Sequence, residues 1–194
     1  PHAELQVSTA DPYRKPSEGP IAVCAGTTLL DPPALTQLAD ARPHWHIHVL
    51  GRLRETPPTR PNITWHGEQS FDTTLAHIAH ADIGLAPYRD EPGVAYQTTN
   101  SNRILLYRHH GLPTLGPDRL CHPSIPSIIG YGSPHAFERC ETWERRPEAV
   151  PDWKELAERL SQNGVTEPPE LTSTPPARAE KPRVKTVPAL ACKA

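Results

Sequence analysis

No stretch of this 194-residue chain is an apolar run of about 18 residues, the length a membrane-spanning helix needs. The opening segment, PHAELQVSTADPYRKPSEGP, lacks the basic start and apolar core of a secretory signal. Positive charge is not in excess. The 20 Lys and Arg stand against 22 Asp and Glu, a net charge of -2, which argues against a dedicated nucleic-acid binder. Aromatic residues are scarce at 6%, too few for a carbohydrate-stacking lectin face. Trp45, Trp65, Trp143 and Trp153 read mostly as packing residues. The four cysteines, Cys24, Cys121, Cys140 and Cys192, are far apart and form no CxxC pair. Neither a zinc ribbon nor a dithiol redox motif is supported, and a reducing compartment is the simpler reading. Both GxGxxG and a Walker lysine are missing.

Proline, in contrast, is abundant at 25 residues. It is unevenly spread and concentrates in the tail EPPELTSTPPARAEKPRVKTVPALACKA, which has little periodicity. Residues 166–194 therefore read as a Pro-rich, disordered tail. Residues 1–19 read as a linker-like segment, and 20–165 as one α/β domain. The start at Pro1 fits a piece of something longer.

Within 20–165, short apolar runs alternate with helical patterns. PIAVCAG, HWHIHVLG, NITWHG, DIGLAPY and LPTLG predict five strands, and the segment 125–140 a sixth. Asp31 followed by Pro32 and Pro33 predicts a helix start. FDTTLAHIAHA predicts a helix with Phe71, Leu75, Ile78 and Ala79 on one face. NSNRILLYRHHG predicts another, and Asp152 to Gly164 a last, amphipathic one. This alternation means βαβ units and a mostly parallel sheet. Such sheets bind ligands outside the carboxyl ends of their strands. The residues to weigh are thus Gly26-Thr27-Thr28, Gly51-Arg52, Gly67-Glu68-Gln69, Pro87-Tyr88 and Gly116-Pro117. AGTT alone is a weak signal that an ordinary β–α turn also explains.

Arg103 is the odd residue. It falls in the first turn of a helix capped by Asn100 or Ser101, where the dipole disfavours a cation. An anion at that helix end would reverse the sign. The alternative is a side chain that swings into water or pairs with Asp90 or Glu91. Arg108, His109 and His110 lie in the last turn, where positive charge is favourable.

On GTTLLDP, RPHWHIHVLG, WHGEQSFDTTLAHIAHADIGLAPY and AYQTTNSNRILLYRHHGLP, the chain from Pro20 to about Leu160 resembles the C-terminal half of a GT-B glycosyltransferase of the xanthan-type glucuronosyltransferase family. The resemblance implies a Rossmann-like parallel sheet with helices on both faces, one half of a GT-B fold. It implies a UDP-sugar, UDP-glucuronate, as donor substrate, with no cofactor and no bound metal. The reaction would be inverting transfer to a polyprenyl-diphosphate-linked oligosaccharide in exopolysaccharide synthesis. Localisation would be cytoplasmic, peripheral at the inner membrane. Gly26, Thr27 and Thr28 would line the nucleotide cleft, and Gly67, Glu68 and Gln69 would sit by uracil and ribose. Tyr96 and Asn102 would flank the nucleotide, Arg103 would meet the diphosphate, and Tyr107 also matches. Arg103 replaces the family's lysine. Thr28, Gln69 and Asn102 stand where that family has methionines, and Leu106 where it has a glutamine. Arg52, Arg54 or Arg89 could meet a sugar carboxylate. The general base that deprotonates the acceptor is expected in an N-terminal domain, outside these residues, so no catalytic residue is assigned in this chain.

Two rival readings stand beside this one. His44, His46 and His48 on one strand face, with His77 and His80 at helical spacing, could hold zinc. Alternatively, the chain is a non-catalytic nucleotide-sugar-binding partner subunit.

Overall fold

The computed structural model describes residues 10–13, 18–91 and 101–148. The expected helix over Asp152–Gly164, residue Tyr96 and the 166–194 tail lie outside the described residues.

The first apolar run forms β1 (Ile21–Ala25), in which Ala22, Val23 and Cys24 are fully buried. Alternation sends Ala22 and Cys24 to one face of the sheet and Val23 to the other. Both faces are apolar because both are covered, as a parallel sheet requires. Helix α1 (Pro32–Ala41) follows. The Asp31 carboxylate accepts from the Ala34 N–H at 3.1 Å, and prolines occupy the first turn. Then come β2 (His46–Leu50), β3 (Ile63–Gly67), α2 (Phe71–His80) and β4 (Ile83–Leu85). After residues 101–148 resume, α3 (Asn102–His109), β5 (Thr114–Gly116), a 3-10 turn (Asp118–Leu120), β6 (Ile128–Gly130) and α4 (Ala136–Glu141) complete the described elements.

The six strands form one sheet in the order β3-β2-β1-β4-β5-β6, and every pair is parallel. The chain steps outward from β1 to β3, returns past β1, and steps outward the other way. The order reverses between β1 and β4, which opens a crevice at their carboxyl ends. Leu35, Leu38 and Ala39 of α1, with Ala136 and Cys140 of α4, cover one face over Ile47, Val49 and Ile129. Leu75 and Ile78 of α2, with Leu106 and Tyr107 of α3, cover the other over Val23 and Leu50. The expected α/β, Rossmann-like sheet with helices on both faces is the observed one.

Local differences have local causes. The fourth strand is shorter than the run 82–88, because Pro87 has no N–H to continue the ladder. Phe71 is not on the buried face of α2. It is 53% exposed, at the first residue of the helix and beyond the edge of the core. Tyr13, in the segment read as a linker, is buried against the α2 face, and its hydroxyl donates to the His77 carbonyl at 2.7 Å. Helix α4 goes unannounced in the sequence because its N-cap, His135, has a left-handed φ of 54° and makes no side-chain cap bond. Trp45, Trp65 and Trp143 are packing residues, their indole N–H groups donating to Glu141, Pro58 and Gly111.

Candidate nucleotide-sugar site

Glycine leads the turns after β1, β2, β3 and β5. Gly26, Gly51 and Gly67 all have positive φ, at 96°, 121° and 68°. At Gly51 the reason is crowding as well as conformation. A Cβ there would lie 3.0 Å from Thr27 Cγ2 and 3.1 Å from Thr27 N, so the β2 turn passes close beneath the β1 turn. The Thr27 hydroxyl fastens the two turns by donating to the Arg52 carbonyl at 2.7 Å.

Above them lies a cleft of about 530 Å3, lined by Thr27, Thr28, Leu29, Arg52, Arg54 and Arg89 among others. Glu55 is its one acidic lining residue against three arginines. Arg89 leans to Glu91 at 3.6 Å, whereas Arg52 and Arg54 make no ion pair among the described residues. The cleft therefore presents positive charge to a partly enclosed space, which favours an anionic ligand. A second concavity, of about 410 Å3 around Trp143, lies at the other end of the sheet, next to Gly111 before β5.

Arg103 enters the same crevice from α3. Ser101, not Asn100, caps that helix and accepts from the Ile104 N–H at 3.3 Å. The guanidinium neither swings into water nor pairs with an acid. Arg103 is 6% exposed, Asp90 faces Arg119 at 3.6 Å, and Glu91 faces Arg89. Instead Nε donates to the Ala25 carbonyl at 2.8 Å, while Nη2 donates to Gly26 and, at 3.5 Å, to Thr28. The Tyr88 ring lies 4.7 Å from the guanidinium carbon. Nη1 is buried without a partner. A buried cation held by carbonyls alone is incompletely compensated, because buried charges normally find an opposite charge.

No protein-family model matches the chain. It is 28% identical over 187 residues to the UDP-glucuronate:glycolipid 2-beta-glucuronosyltransferase of Xanthomonas campestris pv. campestris. That alignment covers 87% of this chain and 46% of the relative, so the chain spans about half the relative's length. The resemblance is to glycosyltransferases. Among solved structures, the glycosyltransferase GlyE of Streptococcus pneumoniae TIGR4 shares 16% identity over 57% of this chain and 28% of its own. The TM-score is 0.37.

Against this glycosyltransferase resemblance, the expected site residues fall into groups. Gly26, Thr27 and Thr28 stand at the carboxyl end of β1, with Thr27 and Thr28 lining the cleft. Gly67 ends β3, and a Cβ there would meet nothing within 4 Å, so its Cα faces open space. Glu68 is exposed beside it, and the Gln69 amide folds back to donate to the His66 carbonyl at 2.6 Å. Asn102 is exposed at the first residue of α3. Tyr107 is different. It is fully buried, and its hydroxyl bonds backbone of β1 and β4, so it has no surface to offer a nucleotide. It joins β1 to β4 instead. Leu29, with a φ of 55°, is not among the expected site residues, whereas Tyr88 is one of the strand-end residues to weigh but carries no expected ligand contact. No local signal marks a left-handed leucine, although PY at a strand end hints at Tyr88.

The histidines assemble differently from the zinc reading. His44 contacts Glu141, while His48 is joined by His66 and His77. The His48 Nδ1 and His66 Nε2 share a hydrogen bond at 2.8 Å, so these nitrogens face each other. Among the described residues no group of three or more His, Cys, Asp or Glu could hold a metal ion. Burial, helped by His66, His77 and His46, pulls His48 down to about 4.

Proposed function

We propose that this chain binds the nucleotide and diphosphate of a UDP-sugar, with UDP-glucuronate as the donor, and serves as the donor-binding half of a glycosyltransferase. One observation carries the proposal: the arginine-lined cleft lies where the order of a parallel sheet reverses, beside glycine-led turns and the capped start of α3. The match to a UDP-glucuronate-using relative supports it from an independent direction. Gly26, Thr27 and Thr28 approach the phosphates, and Gly67, Glu68 and Gln69 the base and ribose. Asn102 and Tyr96 flank the nucleotide, and Arg52, Arg54 or Arg89 meets the sugar carboxylate.

In the whole protein, the acceptor hydroxyl oxygen attacks the anomeric carbon as the bond to the diphosphate breaks. The hydroxyl proton passes to a general base on the acceptor side, outside this cleft. UDP leaves with its developing charge stabilised by the cations and amides of the crevice, without a metal. The acceptor is a polyprenyl-diphosphate-linked oligosaccharide of exopolysaccharide synthesis, met by peripheral association with the inner membrane. No helix among the described residues is long and apolar enough to cross a membrane.

Calorimetric titration with UDP, UDP-glucose and UDP-glucuronate tests the proposal. UDP is expected to bind, and UDP-glucuronate to bind more tightly than UDP-glucose. Absence of UDP binding at millimolar concentration rejects the nucleotide reading. Equal affinity for the two sugars rejects the carboxylate contact.

A further inference from the structure

One side chain holds the β1–α1 turn from beneath. Arg103 reaches the carbonyls of Ala25, Gly26 and Thr28, three of four consecutive residues, with one planar guanidinium. Tyr88 lies against that guanidinium, and its hydroxyl is hydrogen-bonded to Ser101 Oγ at 2.7 Å. The fork is thus pinned between the end of β4 and the cap of α3.

The consequence follows from peptide geometry. In a planar trans peptide the C=O and N–H point in opposite directions. The Gly26 and Thr28 carbonyls point at Arg103. The N–H groups of the same peptide units, those of Thr27 and Leu29, therefore point away from it, and both residues line the cleft. Neither amide donates to a backbone carbonyl among the described residues. Two backbone features accompany this arrangement. Gly51 lacks the Cβ that would press on Thr27 N, and Leu29 holds a left-handed φ of 55° that a leucine seldom adopts. Amides that converge from such turns make an anion-binding concavity.

We propose that Arg103 is a positioning residue. Its fork fixes the carbonyls of the β1–α1 turn so that the Thr27 and Leu29 amides form a cradle for a diphosphate. Its influence on the anion runs through the turn rather than through direct contact, for which a side chain only 6% exposed leaves little surface. The nucleotide reading above supplies the identity of the ligand; the cradle itself rests on the geometry of the turn.

The test is an amide proton–nitrogen NMR titration of the 194-residue chain with UDP and, separately, with inorganic pyrophosphate. The Thr27 and Leu29 amides are expected to shift with both. Arg103→Lys should weaken both ligands by about tenfold or more, because an ammonium keeps the charge but cannot hold three carbonyls. Retention of affinity within about twofold in Arg103→Lys would mean direct charge contact and overturn the proposal. Silent Thr27 and Leu29 amides while UDP binds would overturn it too, leaving the nucleotide reading intact. That second readout needs no variant, so it decides the matter even if Arg103→Lys does not fold. If pyrophosphate shifts the amides and UDP does not bind, the cradle stands and the nucleotide reading falls. If neither ligand binds, both fall.

Discussion

Tyr107 shows how a residue can matter to a site without touching it. Its hydroxyl accepts from the Ala25 N–H at 2.9 Å and lies 2.8 Å from the Val23 carbonyl and 3.2 Å from that of Leu85. It therefore ties β1 to β4 where the strand order reverses. Gly84 makes room for the ring, since a Cβ there would stand 2.4 Å from Tyr107 Cδ2. Tyr107→Phe leaves the half-buried Ala25 N–H without its acceptor. It is expected to cost about 1–3 kcal/mol of stability, read from chemical denaturation. A side chain whose role was ligand contact would show the reverse, with unchanged stability and weaker UDP binding.

At the level of elements, the start of α3 carries two tasks. Ser101 caps the helix through Ile104 and anchors Tyr88, which in turn lies on Arg103. Ser101→Ala should lower stability by about 1–2 kcal/mol through loss of the cap, measured by thermal unfolding. A loss well under this range would mean that the Tyr88–Arg103 contact, rather than the cap, holds the helix start. At the other end, Arg108 meets Glu148 at 2.6 Å, as a cation in a last turn should. His110 does not share that role. Burial, then His109 and Arg145, pulls it down to about 4, so it is neutral at pH 7.

The whole molecule carries several imidazoles that fold in the neutral form. His48 and His110 are each held down at about 4, chiefly by burial, and His66 is lowered for the same reason and by His77. In the unfolded chain they titrate at about 6.5. Between these values the unfolded state binds more protons, so stability rises with pH across that window. The contribution is complete above about pH 6.5 and lost progressively toward pH 4. The melting temperature should fall as pH drops from 7 to about 4.5, and His48→Gln should reduce the slope. A pH-independent melting temperature in both proteins would show that these rings titrate as exposed histidines do.

The alternation of short apolar runs with capped helical patterns determined, by itself, the α/β class and most element positions. Local chemistry was enough there: Asp31 with two prolines starts a helix, and Gly26, Gly51, Gly67 and Gly116 close strand runs. The edge of the sheet to inspect also followed, because parallel sheets bind at their carboxyl ends. Tertiary structure alone decided what each side chain meets. Arg103 sits at a helix start in the sequence, yet only packing of α3 against β1 turns its fork onto three carbonyls. Tyr107 lies one turn along the same helix, yet packing against Gly84 buries it. His48, His66 and His77 are scattered along the chain and meet only because β2, β3 and α2 are neighbours. Periodicity records which face of an element is apolar; contacts between residues tens of positions apart depend on how those faces are stacked.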